Sequence, residues 1–314
     1  MKKRVCNILL FITLVLTAIT GCGTNQSEAA SASTQTATIK IAYLPITHSL
    51  AVLEEAKELE AENGIQIELV KYGSWPELLD ALNTGRVDGA SVLIELAMKS
   101  KEEGIGIKAV ALGHRDGNVV IVSKEINSAA DLAGKTIAIP HRQSSHNILI
   151  NDTLATAGLS INDVTITELA PTEMPSALAA GTIDAYCVAE PFGSMGVALD
   201  VGKVLYTSDE LWEDSICCGL VLTDVFIEER PEDAKAFVEG YKQAGNNLDK
   251  ETALEIATEY FSQSESVLEQ SLEWISFDNL ELTEDIYNGL VEKVIKYGIS
   301  ENPPTYDEFV KTDF

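Results

Sequence analysis

Two carboxylates stand at the tips of apolar runs. "DAYCVAEPF" (184–192) passes through Tyr186, Cys187, Val188 and Ala189 and ends on Glu190 and Pro191, and "DGASVLIEL" (88–96) leads in the same way to Glu95. A carboxylate at a strand tip accepts N–H donors from a ligand, or it caps the next helix near the macrodipole's positive end. Other residues with usable chemistry are Trp75 in "GSWPELL", Asn118 in "DGNVVIV", His146 in "SSHN" and the vicinal pair Cys217-Cys218. Trp75 offers an aromatic face for a cation or a flat ring, and serves equally as packing. His141 and His146, taken with the cysteines, form a metal option, although buried apolar cysteines are the usual case. His48 reads as a loop residue and Tyr43 as core.

Those residues hang on an alternation of short β-rich runs and amphipathic helical stretches. "TIKIAYLP" and "IQIELVKY" read as strands, separated by the helix "LAVLEEAKELEAEN". Ser74 has the place of an N-cap, Pro76 lies in the first turn, and Gly85 ends that helix. The pattern predicts an α/β chain with mainly parallel sheets. Within it, "ALNTGRVDGASV" (81–92) is echoed by "ALAAGTIDAYCV" (177–188), each a helix end, a glycine turn and a strand beginning at an aspartate. One such unit per lobe predicts two similar lobes. Ligands of open α/β sheets sit outside the carboxyl ends of the strands, which places Glu95 and Glu190 at that edge and beside any shared cleft.

The long β runs "GNVVIVSKEI" (117–126) and "CCGLVLTDVFI" (217–227) read as two crossover strands, giving lobe 1 as 38–123 plus 217–314 and lobe 2 as 124–216. The segment after Arg230 has apolar positions at helical spacing and is expected to pack on lobe 1.

Residues 1–21 have the organisation of a secretory signal, with Lys2, Lys3 and Arg4 ahead of an apolar run too short to span a bilayer. Ile19-Thr20-Gly21-Cys22 looks like a lipobox, so Cys22 is the expected lipidation site and 22–37 a polar tether. Loss of the leader would remove three basic groups and deepen a formal charge of −27, the opposite of a nucleic-acid footprint. Cys187, Cys217 and Cys218 remain, an odd number with no disulfide framework. No G-x-S-x-G, phosphate loop or H-E-x-x-H occurs, and neither enzyme activity nor a cofactor is expected.

Taken together, "YLPITHS", "GSWPELLDAL", "GRVDGASVL", "DLAGKTIAIP", "SSHNILINDTLATAGL", "GTIDAYCVAEPF" and "DELW" resemble the substrate-binding proteins of ABC importers for nitrate, bicarbonate, taurine and sulfonates. The resemblance covers nearly all of 38–314. It implies a two-lobed, type II-like periplasmic-binding-protein fold that hinges shut over a small ligand. It also implies a lipid-anchored monomer outside the cell membrane, docking on a permease with its ATPase. It carries ligand contacts onto Trp75, Asn118, His146 and Glu190, and it puts the family's anion-holding lysine at Cys218, or at Cys217 if the register slips by one.

Glu95 stands where the family is usually neutral. Losing a lysine and gaining an acid makes a buried anion unfavourable. A planar nitrogen cation such as guanidine is therefore expected, forked by Glu190 and Glu95, with its face on Trp75. The alternatives are a nitrate, bicarbonate or sulfonate anion, or a thiamine-precursor pyrimidine between Trp75 and Tyr43 or Tyr186, bound or processed by an enzyme related to this fold.

Overall fold

The computed structural model describes residues 38–63, 65–213 and 215–314. The expected leader, Cys22 and the tether lie outside them. Among the described residues no helix is long and apolar enough to cross a membrane.

The first sheet has the order β2-β1-β3-β11-β4, built from β1 (Thr38–Tyr43), β2 (Gln66–Lys71), β3 (Gly89–Leu93), β4 (Ile107–Leu112) and β11 (Cys218–Thr223). The second has the order β10-β6-β9-β7-β8, built from β6 (Asn118–Val122), β7 (Thr136–Ile139), β8 (Thr165–Glu168), β9 (Ala185–Ala189) and β10 (Lys203–Thr207). In the first sheet β11 runs antiparallel between β3 and β4, and in the second β6 runs antiparallel to β9 and β10. β3, β6, β9 and β11 are buried along their whole length, which is why their sequences read as unbroken apolar runs rather than alternations.

The two sheets repeat one construction. Gly85 and Gly181 each end a helix with φ near the left-handed value, +68° and +67°. Asp88 and Asp184 then each accept the amide at the start of the neighbouring parallel strand, Lys40 and Thr136, at 2.8 Å in both cases. Each aspartate carbonyl also receives an amide from the end of the antiparallel strand, Thr223 closing β11 in one lobe and Ser123 just past β6 in the other, both at 2.9 Å. The sequence echo is thus a shared strand clamp.

β6 hydrogen-bonds within the second sheet from its first residue, so the chain has crossed by Asn118, earlier than a boundary at 124. The crossing itself is tied by a two-residue ladder between β5 (Arg115–Asp116) and β12 (Ile275–Ser276). Asp116, at φ +57°, accepts from the Ser215 amide at 3.1 Å and the Ser215 hydroxyl at 2.9 Å, joining the outgoing and returning segments.

After β1 comes α1 (Leu50–Asn63), after β2 comes α2 (Trp75–Asn83), and after β3 comes α3 (Ile94–Glu102). In the second lobe α4 (Ser145–Ala155) follows β7, α5 (Met174–Ala179) precedes β9, and α6 (Phe192–Ala198) follows it. Beyond α7 (Ser208–Leu211) and α8 (Asp224–Glu229), the C-terminal helices are α9 (Pro231–Asn247), α10 (Lys250–Tyr260), α11 (Glu265–Ser271), α12 (Glu284–Lys296) and α13 (Tyr306–Phe309). α9 packs on α1, and Tyr241 on it donates to the Leu112 carbonyl at 3.1 Å. This segment also reaches lobe 2: α11 packs on α6, and Lys293 of α12 pairs with Asp152 of α4 at 2.8 Å.

Candidate functional site

The edge formed by the carboxyl ends of β1, β3 and β4 and the amino end of β11 gathers the reactive side chains. His48 follows β1, Glu95 follows β3, His114 follows β4, and Cys217 and Cys218 open β11. All five are at most 2% exposed. One ligand atom from each of His48, His114, Cys217 and Cys218 lies within 4.8 Å of the others.

Distances inside this quartet are close to those of a tetrahedral metal site. The two sulfurs are 3.9 Å apart, and Cys218 Sγ lies 3.5 Å from His48 Nδ1. Tetrahedral zinc, with Zn–S about 2.3 Å and Zn–N about 2.0–2.1 Å, sets two sulfurs about 3.8 Å apart and sulfur and nitrogen about 3.5 Å apart. His48 Nε2 lies 3.0 Å from the Gly117 carbonyl, and donation to that oxygen leaves Nδ1 as the free lone pair facing Cys218. A backbone carbonyl orienting a ligating imidazole is the usual second partner of such a histidine. His114 stacks on His48 with ring centroids 3.5 Å apart, accepts the Cys218 amide at Nε2 (3.3 Å), and has no partner at Nδ1.

Burial lowers His114 to a pKa of about 4, helped by its neighbour His48, and lowers His146 to about 4, so both rings are neutral near pH 7. Burial likewise drives the Cys218 thiol up. At Cys217 burial also opposes the thiolate, but the Cys218 thiol and the surrounding imidazoles of His146, His114 and His48 outweigh it and hold the thiol well below its usual range. A neutral His114 and a Cys217 thiolate are in the state that ligates a metal, whereas Cys218 must release its proton to do so.

A second group of side chains lies at the same edge. Glu95 has both carboxylate oxygens without a hydrogen-bond partner, and burial raises its pKa, with the nearby Cys217 adding to the shift. Across from it is the amino end of α4, whose Ser145 amide is directed at Glu95 and whose His146 has neither ring nitrogen partnered. Asn118, fully buried at the start of β6, leaves its amide nitrogen and oxygen unpartnered, as does the Trp75 indole N–H in the first turn of α2.

Of the residues singled out by sequence, Trp75, Glu95, Asn118, His146 and Cys218 are therefore buried polar groups at the facing edges. Glu190 is buried too, but its carboxylate accepts from the Ser194 amide at 2.9 Å and hydroxyl at 3.1 Å, engaging its own helix. Burial raises Glu190 to about 7, partly offset by Ser194. The Tyr186 hydroxyl donates to the Phe192 carbonyl at 3.0 Å. His141 is half-buried beside Glu168 and is outside the quartet. His48, read from the sequence as a loop residue, is instead fully buried in a 3-10 turn, Thr47–Ser49, and His114 was not singled out at all. Their position just past β1 and β4 is the signal that finds them, by the same edge rule that located Glu95.

Two α/β lobes joined by two crossings, with the polar side chains at their facing edges, define a periplasmic-binding-protein fold of the kind found in ABC import systems. The chain belongs to the NMT1-like family, which it matches over residues 32–262. It is similar to the ligand-binding component of an ABC-type import system from Staphylococcus aureus, a structure with zinc bound. That likeness has 41% identity and a TM-score of 0.85, covering 88% of this chain and 97% of that one. The periplasmic nitrate-binding protein NrtA from Synechocystis PCC 6803 shares the fold at 18% identity and TM-score 0.73, over 87% of this chain and 84% of that one. Among curated relatives, the nitrate import ATP-binding protein NrtC of Synechocystis is 27% identical over 66% of this chain. The nitrate/nitrite binding protein NrtA of Nostoc is 25% identical over 72%. The chain spans 34% of the length of the first and 57% of the second.

Proposed function

We propose that this chain is the extracytoplasmic solute-binding component of an ABC importer, a monomer anchored through Cys22, which presents a thiophilic metal ion of the zinc type to its permease and ATPase. The quartet of His48, His114, Cys217 and Cys218 carries this reading: four buried donors, at spacings close to those of a tetrahedral site, at the edge of lobe 1 that faces lobe 2. Two thiolates and two neutral imidazoles neutralise a divalent ion without further charge. Soft sulfur donors favour zinc or monovalent copper over magnesium or calcium. The zinc in the Staphylococcus aureus relative supports the same reading. A nitrate-type anion is disfavoured because Glu95 is buried at this edge while no lysine or arginine is among the buried polar residues described.

The test is metal analysis of the purified protein, followed by competition with a chromophoric chelator. One zinc per chain with sub-micromolar affinity, lost when Cys218 or His48 is replaced, is the expected result. A protein that takes up no zinc or copper but binds nitrate tightly would refute it.

A second reading rests on Glu95 alone. A guanidinium-type cation would supply the N–H donors that this carboxylate lacks, with Asn118 accepting beside it. Titration with guanidinium at low millimolar concentration separates the two readings, since only this one expects saturation without metal.

A further inference from the structure

We infer that the facing lobe edges carry two subsites, and that beside the metal corner they take a small zwitterion of the α-amino-acid class. This rests on the importer reading and adds the organic part of the ligand. The metal corner needs no further residue, because His48, Cys217 and Cys218 supply three donors and His114 the fourth once its Nε2 releases the Cys218 amide. Filling it does nothing for Trp75, Glu95, Asn118, Ser145 and His146, all at most 2% exposed and all with side-chain polar atoms lacking partners. Native interiors leave few such atoms, so this many at one edge marks a ligand contact surface.

Their chemistry specifies what is missing. Glu95 offers two acceptor oxygens, Asn118 one, and neutral His146 one ring nitrogen, a set that calls for a group rich in N–H. Trp75 Nε1, the Asn118 NH2 and the other His146 nitrogen are donors, and they call for an oxygen acceptor. A bare nitrogen cation would meet the first set and leave the second unsatisfied. A bare anion would do the reverse and lie against Glu95. An ammonium directed at Glu95 and a carboxylate directed at Trp75 and Asn118 meets both. With a divalent ion neutralised by the two thiolates, the ammonium is also the counter-charge that buried Glu95 otherwise lacks.

The experiment uses the full chain, metal-free and zinc-loaded, titrated with the twenty protein amino acids and with guanidinium, reading thermal shift and then calorimetry. At least one amino acid is expected to bind saturably, and more than ten times more tightly than guanidinium. Glu95→Gln and Asn118→Ala should each weaken it at least ten-fold while zinc stoichiometry stays at one. No saturable amino acid, guanidinium matching the best of them, or an affinity indifferent to both substitutions would overturn the inference. Amino-acid binding by a protein that takes no zinc would uphold this subsite while refuting the metal reading. Trp75→Phe keeps an aromatic face and removes the N–H, and a paired urea titration separates the lost donor from the cost of the smaller ring.

Discussion

The Thr47 amide donates to the Glu190 carbonyl at 2.9 Å, and the Thr47 hydroxyl reaches the same oxygen at 3.1 Å. Thr47 immediately precedes His48 on lobe 1, and Glu190 ends the central strand of lobe 2, so this carbonyl is a direct tie between the lobes beside the metal corner. The strand-tip glutamate thus works through its backbone across the cleft, while Ser194 occupies its carboxylate. The Glu190–Pro191 peptide is cis.

Thr47→Val removes the hydroxyl and keeps the amide bond and the shape. One neutral hydrogen bond contributes about 0.5–1.5 kcal/mol. The variant should lose about that much stability in urea unfolding and keep its zinc affinity, because all four donors of the quartet stand on lobe 1. An unchanged midpoint would mean that the hydroxyl adds nothing to the tie made by the Thr47 amide.

The ligand set makes a sharper prediction. Cys217→Ser, Cys218→Ser and His48→Ala should each cost about 100-fold or more in metal affinity, since even the outer partners of a metal ligand cost 10- to 100-fold. His141→Ala, half-buried beside Glu168, should leave affinity and stoichiometry unchanged. Cobalt(II) substitution gives the readout, because thiolate ligation produces charge-transfer absorption that serine cannot.

Most of the fold was legible in the sequence because it is written in local terms. The glycine turns at Gly85 and Gly181, the aspartates that follow them and the unbroken apolar runs each report a neighbour a few residues away. The edge rule put Glu95 just past β3, and the chain carries it there, buried. What local pattern could not show was which edge residues converge. His48 and His114 lie 66 residues apart, in stretches with no ligand spacing, and they stack only because β1 and β4 lie parallel in one sheet with β3 and β11 between them. His141 and His146 are close in sequence, yet α4 buries His146 and leaves His141 at the rim. Nor could an apolar strand followed by Glu-Pro show that Ser194, four residues on, would turn back to take the carboxylate.

Gly193 is the residue that lets α6 approach that carboxylate. A Cβ there would overlap Val119 Cγ2 and fall 2.9 Å from Glu190 Oε1. Gly193→Ala should therefore destabilise the protein by about 1–3 kcal/mol, the usual cost of overpacking a core. Urea unfolding measures it. A loss no larger than that of an exposed control such as Gly289→Ala would show that the second sheet yields at this point.

Glu190 also sets a pH dependence whose sign can be worked out. Burial raises its pKa from 4.5 to about 7, so the folded chain holds a proton that the unfolded chain releases at lower pH. Its contribution to stability is full below about 4.5 and is lost as pH rises through about 7. His114 and His146 act in the opposite direction, because their lowered values favour the folded chain as pH rises from about 4 to 6.5. Glu190→Gln isolates the first effect. It removes the titration and keeps an oxygen for the Ser194 hydroxyl, while both histidines remain in each protein and cancel in the difference. The stability of the variant relative to the parent should rise between pH 5 and pH 8, by at most about 3 kcal/mol for a shift of this size. Paired urea titrations at the two pH values measure it. A difference that stays level would mean that Ser194 and the amino end of α6 hold Glu190 ionised in the folded protein throughout that range.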